Sequence, residues 1–170
     1  MNNFSKARRK YRPDRINLLF IAEAPPSTTS NRFFYFGSVR TGDSLFLEIM
    51  KVLYKDDFQS IKELRKRKPE FLKRFKEDGF YLIDACDEPM NDNNAHAKIK
   101  RCREALPFLI KKLKKLATKE TSIILISKSV FEACLCFLKE NRFNILNKSF
   151  LPFPGSGQQK IFRRKLSRLI

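Results

Sequence analysis

Ile16 to Ala22 narrows the possible folds more than any other stretch, because it is almost continuously apolar, with Asn17 its single interruption. A short apolar run closed by a turn signal reads as a strand buried on both faces, as in parallel sheets. The run stops at Glu23-Ala24-Pro25-Pro26. The two prolines fix their own φ and push the residues before them into extended conformations. Glu23 is therefore expected on a rigid loop at the carboxyl end of the sheet, where open α/β sheets bind ligands. Four aromatic residues, Phe33 to Phe36, follow, and Thr41-Gly42-Asp43 starts a helix.

The same grammar recurs along the chain. Phe80 to Asp84 is a second apolar run ending in a carboxylate, Ser122 to Ile126 a third, and Arg142 to Leu146 a short fourth. Between them lie helical patterns. Ser44 to about Tyr54 turns Leu45, Phe46, Ile49, Met50 and Leu53 inward, with Asp43 as N-cap or first-turn anion. Residues 57 to 78 form a second helical stretch, broken at Pro69 and ended by Gly79. A third reaches Leu116 and becomes regular near Glu104, with Pro107 in its first turn. Lys128 to Glu140 is capped by Ser127, and Gln158 to Ile170 is a basic terminal helix after a Pro- and Gly-rich loop, 147 to 157. Strands alternating with helices predict an α/β fold: a three-layer α/β/α sandwich around a central, mainly parallel four-stranded sheet.

At 170 residues the chain reads as one domain, 16 to 170, behind a basic N-terminal tail, 1 to 15, that carries Lys6, Arg8, Arg9, Lys10, Arg12 and Arg15. That tail reads either as an arm on a DNA backbone or as a solvated, frayed end. A net charge of +18, from 36 Lys and Arg against 18 Asp and Glu, points to a polyanionic partner, nucleic acid ahead of an anionic membrane surface. No apolar run approaches the ~20 residues of a membrane span, and the N-terminus lacks the apolar stretch of a signal peptide. A cytoplasmic protein with reduced thiols is expected. Cys86, Cys102, Cys134 and Cys136 do not predict a converging metal or cluster site, so neither metal nor cofactor is expected. His96 reads as an ordinary surface residue.

Phe20-Ile21-Ala22-Glu23-Ala24-Pro25-Pro26 resembles the first motif of the uracil-DNA glycosylase superfamily, most closely the G-E-A-P-G form of its iron–sulfur branch, though without that branch's full set of cysteines. Arg40-Thr41-Gly42-Asp43-Ser44-Leu45-Phe46 is similar to the start of the helix after this loop in related branches. The resemblance implies a monomeric, monofunctional DNA N-glycosylase that extrudes a damaged or deaminated base from single- or double-stranded DNA and hydrolyses its glycosidic bond. It implies Glu23 and Asp84 as catalytic residues: Glu23 positions water or supports positive charge on the sugar, and Asp84 falls where a base-reading Asn is usual. Phe34 or Phe36 would stack under the extruded base, beside Ala24 and Pro25. Pro152, Phe153 and Pro154 resemble the family's last loop, with Leu151 in place of its His. Gly155, Ser156, Gly157, Lys160, Arg163 and Arg164 would hold the nucleic-acid backbone.

The departures have chemical content. An Asn side chain donates and accepts, matching uracil, whereas an ionised Asp only accepts. An ionised Asp84 therefore favours an edge with two donors, such as N1–H and the amino group of guanine, whereas a protonated Asp84 would still mimic Asn at the cost of a raised pKa. The missing His removes an electrophilic contact to the departing base. A non-catalytic nucleic-acid-binding relative of the same fold is the alternative, and a nucleotide or nucleoside enzyme using the same pocket is a third.

Overall fold

The structure, a computed structural model, describes residues 3–27, 31–39, 41–90, 94–155 and 157–170. Four strands, β1 (Leu18–Ala22), β2 (Phe80–Asp84), β3 (Ser122–Leu125) and β4 (Asn144–Ile145), form one all-parallel sheet in the order β2-β1-β3-β4. Helices flank it as a three-layer α/β/α sandwich. Every residue of β1 is buried, and Leu19, Phe20, Ile21, Ile123, Ile124 and Leu125 are fully enclosed. Burying a side chain of this kind contributes about 1.5–3 kcal/mol, which is why the apolar runs become central strands.

The connections fix where a ligand site can form. The chain leaves β1 towards β2 on one side and crosses to β3 on the other, so β1 and β3 bound the switch point of the sheet. The crevice outside the carboxyl ends of strands at such a point is where open α/β sheets bind ligands. Backbone bonds run on past the strands there. Cys86 N–H donates to Glu23 O at 3.0 Å, Ile126 N–H to Ile21 O at 2.8 Å, and Ser127 N–H to Leu151 O at 2.8 Å. The segments that leave the four strands are thereby held edge to edge.

The helices are α1 (Asn3–Lys10), α2 (Ser44–Leu53), α3 (Ile61–Lys66), α4 (Lys68–Glu77), α5 (Ala95–Glu104), α6 (Leu106–Leu116), α7 (Lys128–Glu140) and α8 (Gln159–Leu166). α2 packs on α8, and α5 on α7. The α4–β2 turn needs Gly79: its φ is +76°, and a Cβ there would lie 2.4 Å from the Asn17 amide nitrogen. Among the described residues no helix is long and apolar enough to cross a membrane.

Several boundaries differ from the sequence reading. The largest correction is at the N-terminus, where residues 3–10 are a docked helix and not a frayed tail. Phe4, Ala7 and Tyr11 share one helical face; Phe4 packs on Phe33 at 4.8 Å between ring centroids, and Tyr11 on Tyr35 at 5.9 Å. The 57–78 stretch is two helices separated at Arg67, with Pro69 in the first turn of α4, where its missing N–H costs nothing. The helix reaching Leu116 is likewise two, α5 and α6, divided at Ala105. Asp43 stands at the N-cap of α2, but its carboxylate makes no cap; Arg65 Nε and Nη2 hold it at 3.0 and 2.8 Å.

Candidate active site

A cavity of about 540 Å³ opens at the carboxyl end of the sheet. Its volume falls in the usual range for small-ligand sites. Three of its walls come from the elements the sequence singles out. Glu23, Ala24 and Pro25 line it from the end of β1, Leu82 and Asp84 from β2, and Pro152 and Phe153 from the loop after β4. Phe33 and Phe34 add an aromatic wall. Phe34 is buried and meets Phe46, which lines the same cavity, and Phe75 at 5.8 and 5.5 Å, so the ring is held by its neighbours. Phe36 stacks instead on Phe4, at 5.7 Å, and is not part of the cavity wall. Phe34 is thus the stacking candidate that faces the cavity.

Glu23 is fixed from both sides. Ser127 Oγ donates to its Oε1 at 3.5 Å, and Lys98 Nζ lies 3.3 Å from its Oε2. Ser127 is where β3 hands over to α7, and its hydroxyl also accepts from Val130 N–H at 3.2 Å as the helix N-cap. Its backbone has φ 85° and ψ 154°, a region essentially restricted to glycine. Strain of this kind gathers at functional sites, and here it turns the hydroxyl towards Glu23. Lys98 comes from α5 and lines the same cavity.

Asp84 is 2% exposed, and its carboxylate pairs with Arg8 of α1. The Arg8 guanidinium sits 5.5 Å from the centre of the Phe33 ring. Lys112 Nζ donates to the Asp84 carbonyl at 3.3 Å and to Asp87 Oδ1 at 2.6 Å. Burial pushes the Asp84 carboxyl up to about 6, against the pull of Arg8 and Lys112 in the opposite direction. At neutral pH Asp84 therefore meets the cavity mostly as a carboxylate, an acceptor.

Other expected residues lie elsewhere. Pro154 is buried but outside the cavity wall. Leu151 is enclosed, bridging Ile126 in the sheet. Gly155, Gly157, Lys160, Arg163 and Arg164 do not line the cavity. Arg163 is tied to the buried Glu48 of α2, Lys160 and Arg164 are exposed, and Ser156 and Arg40 fall outside the described residues. The Gln158 N–H ahead of α8 is bonded to Gly155 O at 3.0 Å. His96 is exposed on the first turn of α5. Cys86, Cys102 and Cys134 are buried free thiols and Cys136 is exposed. A hydrogen bond with Cys102 lowers the Cys86 thiol, and the same bond raises that of Cys102. No group of three or more His, Cys, Asp or Glu among the described residues could hold a metal ion.

Sequence reasoning missed Arg8 and Lys98. The stripe Phe4, Ala7, Tyr11 was a signal for the helix that delivers Arg8. Nothing in the sequence separates Lys98 from its many fellow lysines. Neither a scan against protein-family models nor searches of curated proteins and of solved structures found a match to this chain.

Proposed function

We propose that this chain is a divergent DNA glycosylase of the uracil-DNA glycosylase type, which takes an extruded base into the cavity and hydrolyses its N-glycosidic bond. The observation that carries this is the placing of two carboxylates, Glu23 and Asp84, from adjacent parallel strands on one cavity with the braced ring of Phe34. Glycosidic cleavage needs a negative group beside the sugar as positive charge develops there, and a separate group to hold the base. Glu23, oriented by Ser127 and Lys98, supports the sugar's charge or aligns the attacking water. Phe34 stacks on the base, and Asp84 accepts from its edge. Phe153, 43% exposed at the cavity rim, is placed to wedge into the stack the base has left. The net charge of +18 steers the chain onto DNA.

Asp84 as an acceptor favours bases whose edge presents donors, the guanine type, and disfavours the O4 of uracil. The test is base release from single- and double-stranded oligonucleotides carrying uracil, hypoxanthine, xanthine, 8-oxoguanine or alkylated bases. Asp84→Asn should shift preference towards uracil. Release of uracil by the wild type, unchanged in Asp84→Asn, would overturn the role of Asp84. A second reading, a non-catalytic DNA-binding relative, is favoured by Leu151, which stands in place of an imidazole and is folded into the sheet. It requires salt-sensitive binding with no base released from any substrate in the panel.

A further inference from the structure

We propose that Lys98 gives the cavity a second activity: its ε-amine forms an imine with C1′ of an abasic deoxyribose and cleaves the strand by β-elimination. This rests on the reading that the cavity receives the sugar of an extruded nucleotide. If Glu23 serves the anomeric carbon, then Lys98, whose amine lies 3.3 Å from Glu23 Oε2, is on the same wall of the cavity as the group that faces that carbon. The Lys98 side chain is 30% exposed and lines the cavity, so it is neither sealed in the core nor loose on the surface. Other lysines near the site are engaged differently. Lys68 is fully enclosed against Phe46, Lys112 is held by Asp87, and Lys128 is paired with Glu132. Each of the four has a carboxylate partner, but Lys98 alone is paired with Glu23, the carboxylate assigned to the sugar.

The chemistry balances without a redox partner. In the ring-opened abasic sugar C1′ is an aldehyde. The Lys98 ammonium gives a proton to Glu23, and the neutral amine adds to C1′, forming a C–N bond. The carbinolamine takes the proton back from Glu23 and loses its hydroxyl as water, leaving a protonated imine. That imine acidifies C2′, from which the Glu23 carboxylate removes a proton. The C3′–O bond then breaks, and the downstream strand departs with a 5′-phosphate. Water hydrolyses the conjugated imine, which frees the Lys98 amine and an unsaturated aldehyde.

The experiment uses the full chain and an oligonucleotide carrying one preformed abasic site, so that base release is bypassed. Sodium cyanoborohydride reduces any imine to a stable adduct, which is resolved on a denaturing gel and mapped by peptide mass spectrometry. The expected result is an adduct on Lys98 in the wild type, and strand cleavage when the reductant is left out. Lys98→Arg keeps a cation beside Glu23 and removes the primary amine, so its adduct should fall to the level of heat-denatured protein while its melting curve shows it folded. No adduct in the wild type, or an adduct on another lysine, overturns the proposal, and the mapping decides this even if the variant fails to fold. Base release without trapping would leave the glycosylase standing and remove the lyase. Trapping at Lys98 with no base released from any lesion would do the reverse.

Discussion

Asp84 is a charge kept at a cost. Its usual value is 3.8, and burial raises it to about 6 in the folded chain. Between those values the folded state holds a proton that the unfolded chain has released. Stability from this group therefore falls as pH rises through that window, by about 3 kcal/mol in all, at about 1.36 kcal/mol for each pH unit between the two values. Arg8 limits the loss. Removing one partner of a buried ion pair costs about 3–5 kcal/mol, so Arg8→Met should be destabilised by that order at pH 7.5. The loss should shrink at pH 5, where Asp84 takes up a proton and no longer needs the cation. Urea unfolding at the two pH values measures it. Equal losses at both would mean that Arg8 acts through packing on Phe33 and not through Asp84. Release of donor-edged bases should likewise fall as pH drops through about 6.

At the scale of the element, the β3–α7 turn concentrates three duties in Ser127: a strained backbone, a helix cap and a bond to Glu23. Losing the cap costs roughly 0.5–2 kcal/mol as Ser→Ala, and alanine keeps the strain. Glycine also loses the hydroxyl but occupies this φ and ψ freely. Ser127→Gly should therefore be more stable than Ser127→Ala by about 1 kcal/mol or more, by chemical denaturation. The reverse order would mean that the backbone is not strained at this position. This turn also marks where the sequence stops being legible. The apolar runs announced the strands, and Glu23 and Asp84 were visible because a carboxylate closes each of two runs. Which groups hold those carboxylates was not visible. Arg8 and Asp84 are 76 residues apart, and both Arg8 and Lys98 sit in basic stretches whose local pattern reads as solvated surface. α1 was hard to read for a related reason: its two apolar side chains, Phe4 and Ala7, are outnumbered by four charges, and its docking on Phe33 and Phe36 and the Arg8–Asp84 pair are long-range contacts.

At the scale of the molecule, charge and cavity have separate jobs. On the proposed function, the excess of +18 would set affinity for a polyanion, whereas the cavity would set which base is held. Affinity for DNA should therefore fall steeply with salt, by about 10³ between ~50 and ~200 mM if roughly six phosphates are contacted. Fluorescence anisotropy with a labelled oligonucleotide reads this, and salt-independent binding would contradict the electrostatic role. The proposed chemistry turns on Glu23, whose carboxylate Ser127 and Lys98 hold at the carboxyl end of the sheet. The most direct test is the single-turnover rate of base release by the wild type and by Glu23→Gln, on the base the wild type prefers. Glutamine keeps the shape and removes the charge, so the rate should drop by about 10²–10³, as for loss of one preorganised electrostatic contact. A Glu23→Gln rate equal to that of the wild type would show that the carboxylate does not support the reaction.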